Sequence, residues 1–234
     1  MRWASGPAAS SSRFPSRALP EPSLFSAADF RRRVVKRLSP ESGEVMGDHV
    51  FNPEVADLLL NMKRQQAAVL VPVIHHEPQA TVLFTERTGG LRVHAGQVSF
   101  PGGRIDPDDA SAEAAALREA EEEIGLDRQF VETLSRAPDY LTGTGYHVTP
   151  VVAIVRPGFT LTLNPDEVAS AFEVPLAFLM DPANHRKGSR IWRGARRYYF
   201  EMPYEDRNIW GITAGIVRIL YERLYGEDEA GRAI

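Results

Sequence analysis

A chain of 234 residues with a hydrophobic fraction of 43% is long enough to bury one sizeable core. It has no cysteine, which excludes disulfides and thiolate-held metals, and it has no apolar run long enough to span a membrane. The net charge of −4 is unevenly spread: residues 1–37 hold eight Lys/Arg against Glu21 and Asp29, whereas the rest holds 19 basic and 29 acidic residues, and so acidic a body argues against nucleic acid as the main partner.

Residues 1–22 are rich in Ser, Ala, Pro and Arg and lack the apolar centre of a secretory signal. They are expected to be a disordered basic tail on a cytoplasmic protein, with an Arg- and Ser-rich organelle presequence as the alternative. Ser26 is placed to cap a helix with Phe30, Val34 and Leu38 on one side and Arg31, Arg32, Lys36 and Arg37 as a solvated basic face. Pro53 to Met62 reads as a second helix, capped by Asn52 and turning Val55, Leu58, Leu59 and Met62 inward. Residues 23–64 are thus expected to be N-terminal helices packed on the main domain.

Ala67–Ile74 is a near-continuous apolar run and predicts a buried strand. Glu77-Pro78-Gln79 makes a turn flanked by His75 and His76 at the surface, and Thr81–Thr85 returns as a second strand. Arg87 and Arg92 follow on a Gly-containing loop. Two guanidiniums there suit phosphate oxygens, and a structural ion pair with the acidic helix downstream is the equal alternative.

The helix opened by Ser111 and closed by Gly125 carries the strongest chemical signal. Ser111 is the expected N-cap, Glu113 lies in the first turn, and Gly125 is the expected left-handed cap. Glu119, Glu122 and Glu123 stand at i, i+3 and i+4 and therefore project from one face. Like charges so placed destabilise a bare helix, and a hard divalent cation is a physical reason to tolerate them. Without Cys or a His pair beside them, the three carboxylates favour Mg²⁺ or Mn²⁺ over zinc. Arg118, four residues before Glu122, is expected to orient that carboxylate.

Beyond the helix, Phe130–Ala137 and Val148–Val155 read as strands, separated by the Gly-rich loop Asp139–His147. Tyr140, Tyr146 and His147 are equally suited to a ligand pocket or to covering the core. Glu167 and Glu173 read as helix or loop surface charges. Pro175 starts a short helix. Arg186–Tyr204 predicts a hairpin turning near Gly194, with Arg197–Phe200 entering the core and a basic edge. Ile209-Trp210-Gly211 predicts a short strand, and Ile212–Leu224 a closing helix with Ile212, Ile216, Ile219 and Leu220 inward. Residues 226–234 are expected to be loose.

Phe100 to Leu126 resembles the Nudix box. The matching residues are Gly103, Arg118, Glu119, Glu122, Glu123, Gly125 and Leu126. The box usually carries one further Glu before the Arg; that slot is Ala110 here, with Asp108, Asp109 and Glu113 as candidates to stand in. Leu83 to Gly103 resembles the signature that precedes the box in the coenzyme A pyrophosphatase branch, on Leu83, Phe84, Thr85, Arg87, Arg92, Gly96, Phe100, Pro101, Gly102 and Gly103.

The resemblance covers roughly residues 65–225. It implies an α/β (α+β) domain of Nudix fold, with a mixed central sheet sandwiched between helices. It also implies a Mg²⁺- or Mn²⁺-dependent pyrophosphohydrolase that cleaves coenzyme A and its derivatives to 3′,5′-ADP and an (acyl-)4′-phosphopantetheine. Glu119, Glu122 and Glu123 would be the metal ligands and catalytic carboxylates. Arg87, Arg92, Gly102 and Gly103 would contact substrate, Arg118 and Gly125 would support the box, and Glu167 would be a candidate general base, with Glu173 as a second. The partner is then a small nucleotide, with no nucleic acid and no membrane, and the oligomeric state is open between monomer and homodimer. Two other readings keep the box: hydrolysis of another nucleoside diphosphate such as ADP-ribose or NADH, and a ligand-binding module without turnover.

Overall fold

The computed structural model describes residues 22–39, 43–89, 96–192 and 194–226. In chain order its elements are α1 (Ala27–Arg37), β1 (Val45–Gly47), α2 (Asp48–Phe51), α3 (Ala56–Leu60), β2 (Gln65–Ile74), β3 (Thr81–Arg87), β4 (Val98–Ser99), β5 (Gly102–Arg104) and α4 (Ala112–Ile124). There follow β6 (Val131–Arg136), β7 (Asp139–Leu141), β8 (Tyr146–Val155), β9 (Val168–Pro175), α5 (Leu176–Leu179), β10 (Arg186–Trp192), β11 (Ala195–Tyr204), β12 (Arg207–Trp210) and α6 (Ile212–Leu224).

The two longest apolar runs, β2 and β8, pair in parallel along their whole length, from Gln65↔Tyr146 to Ile74↔Val155. Strands buried on both faces need apolar side chains on both, which is why neither run alternates. Around them the described strands form a nine-stranded mixed sheet in the order β1-β7-β8-β2-β3-β4, with β5 on β2, β6 on β8 and β9 on β3. A separate antiparallel sheet runs β10-β11-β12.

Helices cover both faces of the large sheet. On one side α4 buries Ala115, Ala116, Ala120 and Ile124 against Ala68, Leu70, Val151 and Ala153. Its small alanines let the helix backbone lie close to the strands. On the other side Phe30 and Val34 of α1 and Ile216, Ile219 and Leu220 of α6 pack with Val71, Val73, Phe84 and Val152. Each fully buried aliphatic side chain of this kind contributes about 1.5–3 kcal/mol. The expected α/β (α+β) architecture, a mixed sheet between helices, is the one observed. Among the described residues no helix is long and apolar enough to cross a membrane.

Several local expectations change. Ser26 caps α1 as predicted, its hydroxyl accepting from the Asp29 N–H at 3.2 Å. Arg37, however, is not simply solvated: with Arg33 it donates to the Leu224 carbonyl at 2.7 and 2.8 Å, placing cations at the end of α6 where the helix dipole favours them. The predicted Pro53–Met62 helix is a 3₁₀ turn at Pro53–Val55 followed by the short α3, and Asn52 makes no cap. Its amide is instead engaged on β11, accepting from Tyr198 N–H at 2.8 Å and donating to Tyr198 O at 3.2 Å. The stretch after Glu167, expected as helix or loop, is strand β9, drawn out by pairing with β3. The expectations for the basic tail at 1–21, for Arg92 and for residues 227–234 lie outside the described residues, as do the side chains of Val55 and Leu58.

Candidate active site

β5 and α4 build the site together. The Pro101-Gly102-Gly103 turn enters β5, which pairs with β2 at Val69↔Gly102, Ala68↔Gly103 and Ala67↔Arg104. Gly102 sits at φ +154°, and a Cβ there would fall 2.4 Å from the Ala68 carbonyl oxygen. The chain then runs through the acidic loop to Ser111, whose hydroxyl accepts from Ala114 N–H at 3.2 Å and starts α4. Gly125 ends it at φ +66°. The helix thereby returns alongside β5, and the Glu119 carboxylate comes to rest against Gly103, where a Cβ would lie 2.5 Å from it.

The three helical carboxylates have different surroundings. Glu123 is buried, with Oε2 accepting from Gly102 N–H at 3.1 Å and Oε1 facing Arg87 at 3.5 Å. Glu119 is mostly buried and Glu122 largely exposed, and Arg118 reaches both at 3.0 Å. The Arg118 guanidinium also makes a two-point pair with Asp109, at 2.9 and 3.1 Å, and donates to the Arg104 carbonyl at 3.1 Å. Arg118 therefore bonds Glu122, the carboxylate it was expected to orient, and holds Glu119 and the acidic loop as well. Of the candidates for the absent box Glu, Asp109 is engaged by Arg118, and Glu113 pairs with Arg136 at 2.6 and 2.8 Å, which holds its carboxyl down at about 2.

Burial raises the Glu123 carboxyl to about 7; Gly102 N–H and Arg87 oppose that shift, and the charges of Glu119 and Glu167 add to it. Burial likewise raises Glu119, with Arg118 opposing and Glu122 and Glu167 adding. Glu167 therefore lies within electrostatic reach of both carboxylates. It is held at the start of β9, with Oε1 accepting from Asn164 at 3.3 Å and its carbonyl accepting from Thr88 N–H. Glu173 is elsewhere: it bonds His76 at 2.8 Å and also Thr81, so it does not share this site.

In chemistry the donor set fits a hard divalent cation. It consists of carboxylate oxygens, two of them on groups whose negative charge burial makes unfavourable, and a cation of that class relieves such a surplus. In spacing, no three acidic or histidine side chains among the described residues converge as a metal-holding group. Arg118 spans Glu119 and Glu122 from one side, and Glu123 is turned to Gly102 and Arg87.

Beside the carboxylates opens a cleft of about 360 Å³, lined by Arg87, Gly102, Gly103 and Arg104 on one side and by Arg190, Arg197, Tyr199 and Trp210 on another. Its volume is that of a small-molecule site. Arg87 makes the ion pair with the acidic helix, to Glu123 at 3.5 Å, and also lines the cleft. The loop aromatics divide. Tyr146 lines the cleft, Tyr140 is buried with its hydroxyl donating to Asp48 at 2.9 Å, and His147 pairs with Asp139 at 2.7 Å. Sequence reasoning missed Asp48 and Asn52 as cleft residues. It read the Arg186–Tyr204 hairpin as a basic edge with Arg197–Phe200 entering the core, but of those four only Phe200 is buried, and Arg197, Tyr198 and Tyr199 line the cleft instead. The hairpin's mixture of Arg and aromatic residues was the available signal.

Residues 64–192 match the family model of the NUDIX domain. A curated Escherichia coli K12 protein, described as the uncharacterized Nudix hydrolase NudL, is 43% identical over 171 residues, covering 73% of this chain and 88% of the relative. Among solved structures, DR0079 from Deinococcus radiodurans is 15% identical with a TM-score of 0.46, covering 68% of this chain and 83% of that one. A MutT/nudix family protein from Enterococcus faecalis is 15% identical with a TM-score of 0.43, covering 78% and 73%.

Proposed function

This chain belongs to the Nudix hydrolase family, and on that premise we propose that it hydrolyses the diphosphate of coenzyme A and its derivatives. The observation that carries the reading is the meeting of two sequence signatures at one cleft. Arg87 and Gly102, from the stretch that resembles the coenzyme A pyrophosphatase signature, both contact Glu123 of the box helix. A diphosphate in the cleft then lies between a guanidinium and a bank of carboxylates.

The roles follow from the surroundings of each group. Glu119, Glu122 and Glu123 would hold Mg²⁺ or Mn²⁺, and a cation so held would supply charge stabilisation to the diphosphate. Arg87 binds a phosphate oxygen, for which its planar donors are suited. Gly102 and Gly103 line the cleft and present backbone to the substrate, while the space a Cβ would take is filled by Ala68 at Gly102 and by the Glu119 carboxylate at Gly103. Glu167 takes a proton from the attacking water as a P–O bond forms and the P–O–P bridge breaks. The products are 3′,5′-ADP and an (acyl-)4′-phosphopantetheine. Most of the acceleration comes from position and charge, since phosphoryl transfer asks little covalent chemistry of a protein.

The test is product analysis after incubating the protein with coenzyme A and Mg²⁺, beside ADP-ribose and NADH. Release of the two named products, with the highest kcat/KM on coenzyme A, is expected. Faster turnover of ADP-ribose or NADH would move the reading to another nucleoside diphosphate, and no turnover of any would leave a binding module.

A further inference from the structure

The small sheet presents an arrangement that the diphosphate does not use. Arg190 and Arg197 are direct partners across the antiparallel β10–β11 ladder. Like charges facing each other in this way destabilise a sheet. Among the described residues Arg190 has no carboxylate partner, and Arg197 has only the largely exposed Glu54 at 3.4 Å. The Arg197 Nε is buried without a hydrogen-bond partner. Such a pair stands ready for an anion.

Aromatic rings flank it on the same face. Arg190 lies over the Trp210 ring at 5.0 Å, and Tyr199 meets Trp210 edge to face at 5.5 Å. Tyr199 is seated on Gly188, where a Cβ would strike its ring at 2.6 Å. The Asn52 amide bonds both the N–H and the carbonyl of the neighbouring Tyr198, so the strand is held in place. The two arginines and both rings line the same cleft as Arg87, Gly102 and Gly103.

We propose that Arg190 and Arg197, with Tyr199 and Trp210 beside them, form a second anion subsite that takes a phosphate monoester carried on a nucleoside, separate from the diphosphate. This rests on the proposed reaction, in which the substrate's nucleoside bears a 3′-phosphate. The guanidiniums bind the monoester and the rings pack against the base.

Two measurements test it. Binding of adenosine 3′,5′-bisphosphate and of AMP to the intact protein, followed by calorimetry without substrate turnover, should differ by about tenfold or more in favour of the bisphosphate. In turnover, wild type should prefer coenzyme A to 3′-dephospho-coenzyme A. Arg190→Gln and Arg197→Gln should each reduce that ratio of kcat/KM by about tenfold, chiefly through KM. Equal binding of the two nucleotides would overturn the subsite, even if coenzyme A is hydrolysed. So would variants that weaken both substrates equally, which would assign the arginines to the diphosphate. Tighter binding of a single-stranded oligonucleotide than of the bisphosphate would overturn it in favour of nucleic acid. Preferential binding of the bisphosphate without coenzyme A turnover would uphold the subsite while removing the proposed reaction.

Discussion

The backbone N–H of Gly102 donates to Oε2 of Glu123 at 3.1 Å, so the turn that enters β5 and the helix that returns beside it are tied through one buried carboxylate. Only a proline would remove that backbone donor, and it opposes the burial that raises this group. Arg87 adds the cation paired with this carboxylate, at 3.5 Å.

That burial predicts a pH dependence. The Glu123 carboxyl lies at about 7 in the folded chain against the ordinary 4.5. Between those values the folded chain keeps a proton that the unfolded chain has released, so stability of the metal-free protein should fall as pH rises through that window. The loss is at most about 3 kcal/mol. Glu123→Gln should flatten this slope and melt higher than wild type above the folded value. Melting temperature against pH in a chelator checks this; parallel curves for the two proteins would exclude it. Adding Mg²⁺ above the folded value should raise the melting temperature of wild type more than that of the variant.

Glu122→Gln and Glu123→Gln should each lower kcat by about a hundredfold or more at saturating Mg²⁺. The exposed Glu122 should leave the melting temperature nearly unmoved, which separates its role from a structural one. Rates near wild type for either variant would remove that residue from the catalytic set.

The adjacent glycines should separate fold from function. A Cβ on Gly102 meets backbone, at 2.4 Å from Ala68 O, so Gly102→Ala should destabilise the fold by about 2 kcal/mol or more. The three atoms nearest a Cβ on Gly103 are those of the Glu119 carboxylate, from 2.5 Å, so Gly103→Ala should displace that group. A loss of kcat of about tenfold or more with a smaller change in melting temperature is expected. Thermal melts and steady-state kinetics on the pair decide this, and equal stability losses would refute it.

Arg118→Ala leaves Asp109, Glu119 and Glu122 without their shared cation. Removing one partner of a partly buried network should lower stability by about 1–3 kcal/mol. Because Arg118 also holds the Arg104 carbonyl, kcat should fall with it. Asp109→Asn should lose less, since the Glu119 and Glu122 pairs survive. A melt of Arg118→Ala matching wild type would show that these pairs contribute nothing.

Glu167→Gln should reduce kcat by about a hundredfold or more with little change in KM, if its carboxylate accepts the proton of the attacking water. Glu173→Gln serves as the control, because that residue is engaged with His76 and Thr81. A kcat near wild type in Glu167→Gln would pass the base to another group.

What could be read in advance was local. Ser26, Ser111 and Gly125 mark helix ends through their own backbone preferences, and each stands where those preferences put it. The Ile212–Leu224 stripe and the hairpin at Gly194 were equally legible, since period and turn chemistry belong to short segments. Asn52 shows the opposite case. It has the form of a helix cap, but a strand remote in sequence offers its amide two backbone groups, and that pairing prevails.

The order of residues on one helix was enough to put Glu119, Glu122 and Glu123 on a common face, because 3.6 residues per turn is a property of the chain itself. Tertiary structure alone decided that Glu123 is buried against Gly102 while Glu122 stays in solvent. It also chose Glu167 over Glu173 as the neighbouring carboxylate, and turned Arg190 and Arg197 toward the cleft. Those outcomes depend on strand register between segments far apart in sequence. A one-residue slip there would move each side chain to the other face, and no local pattern carries that information.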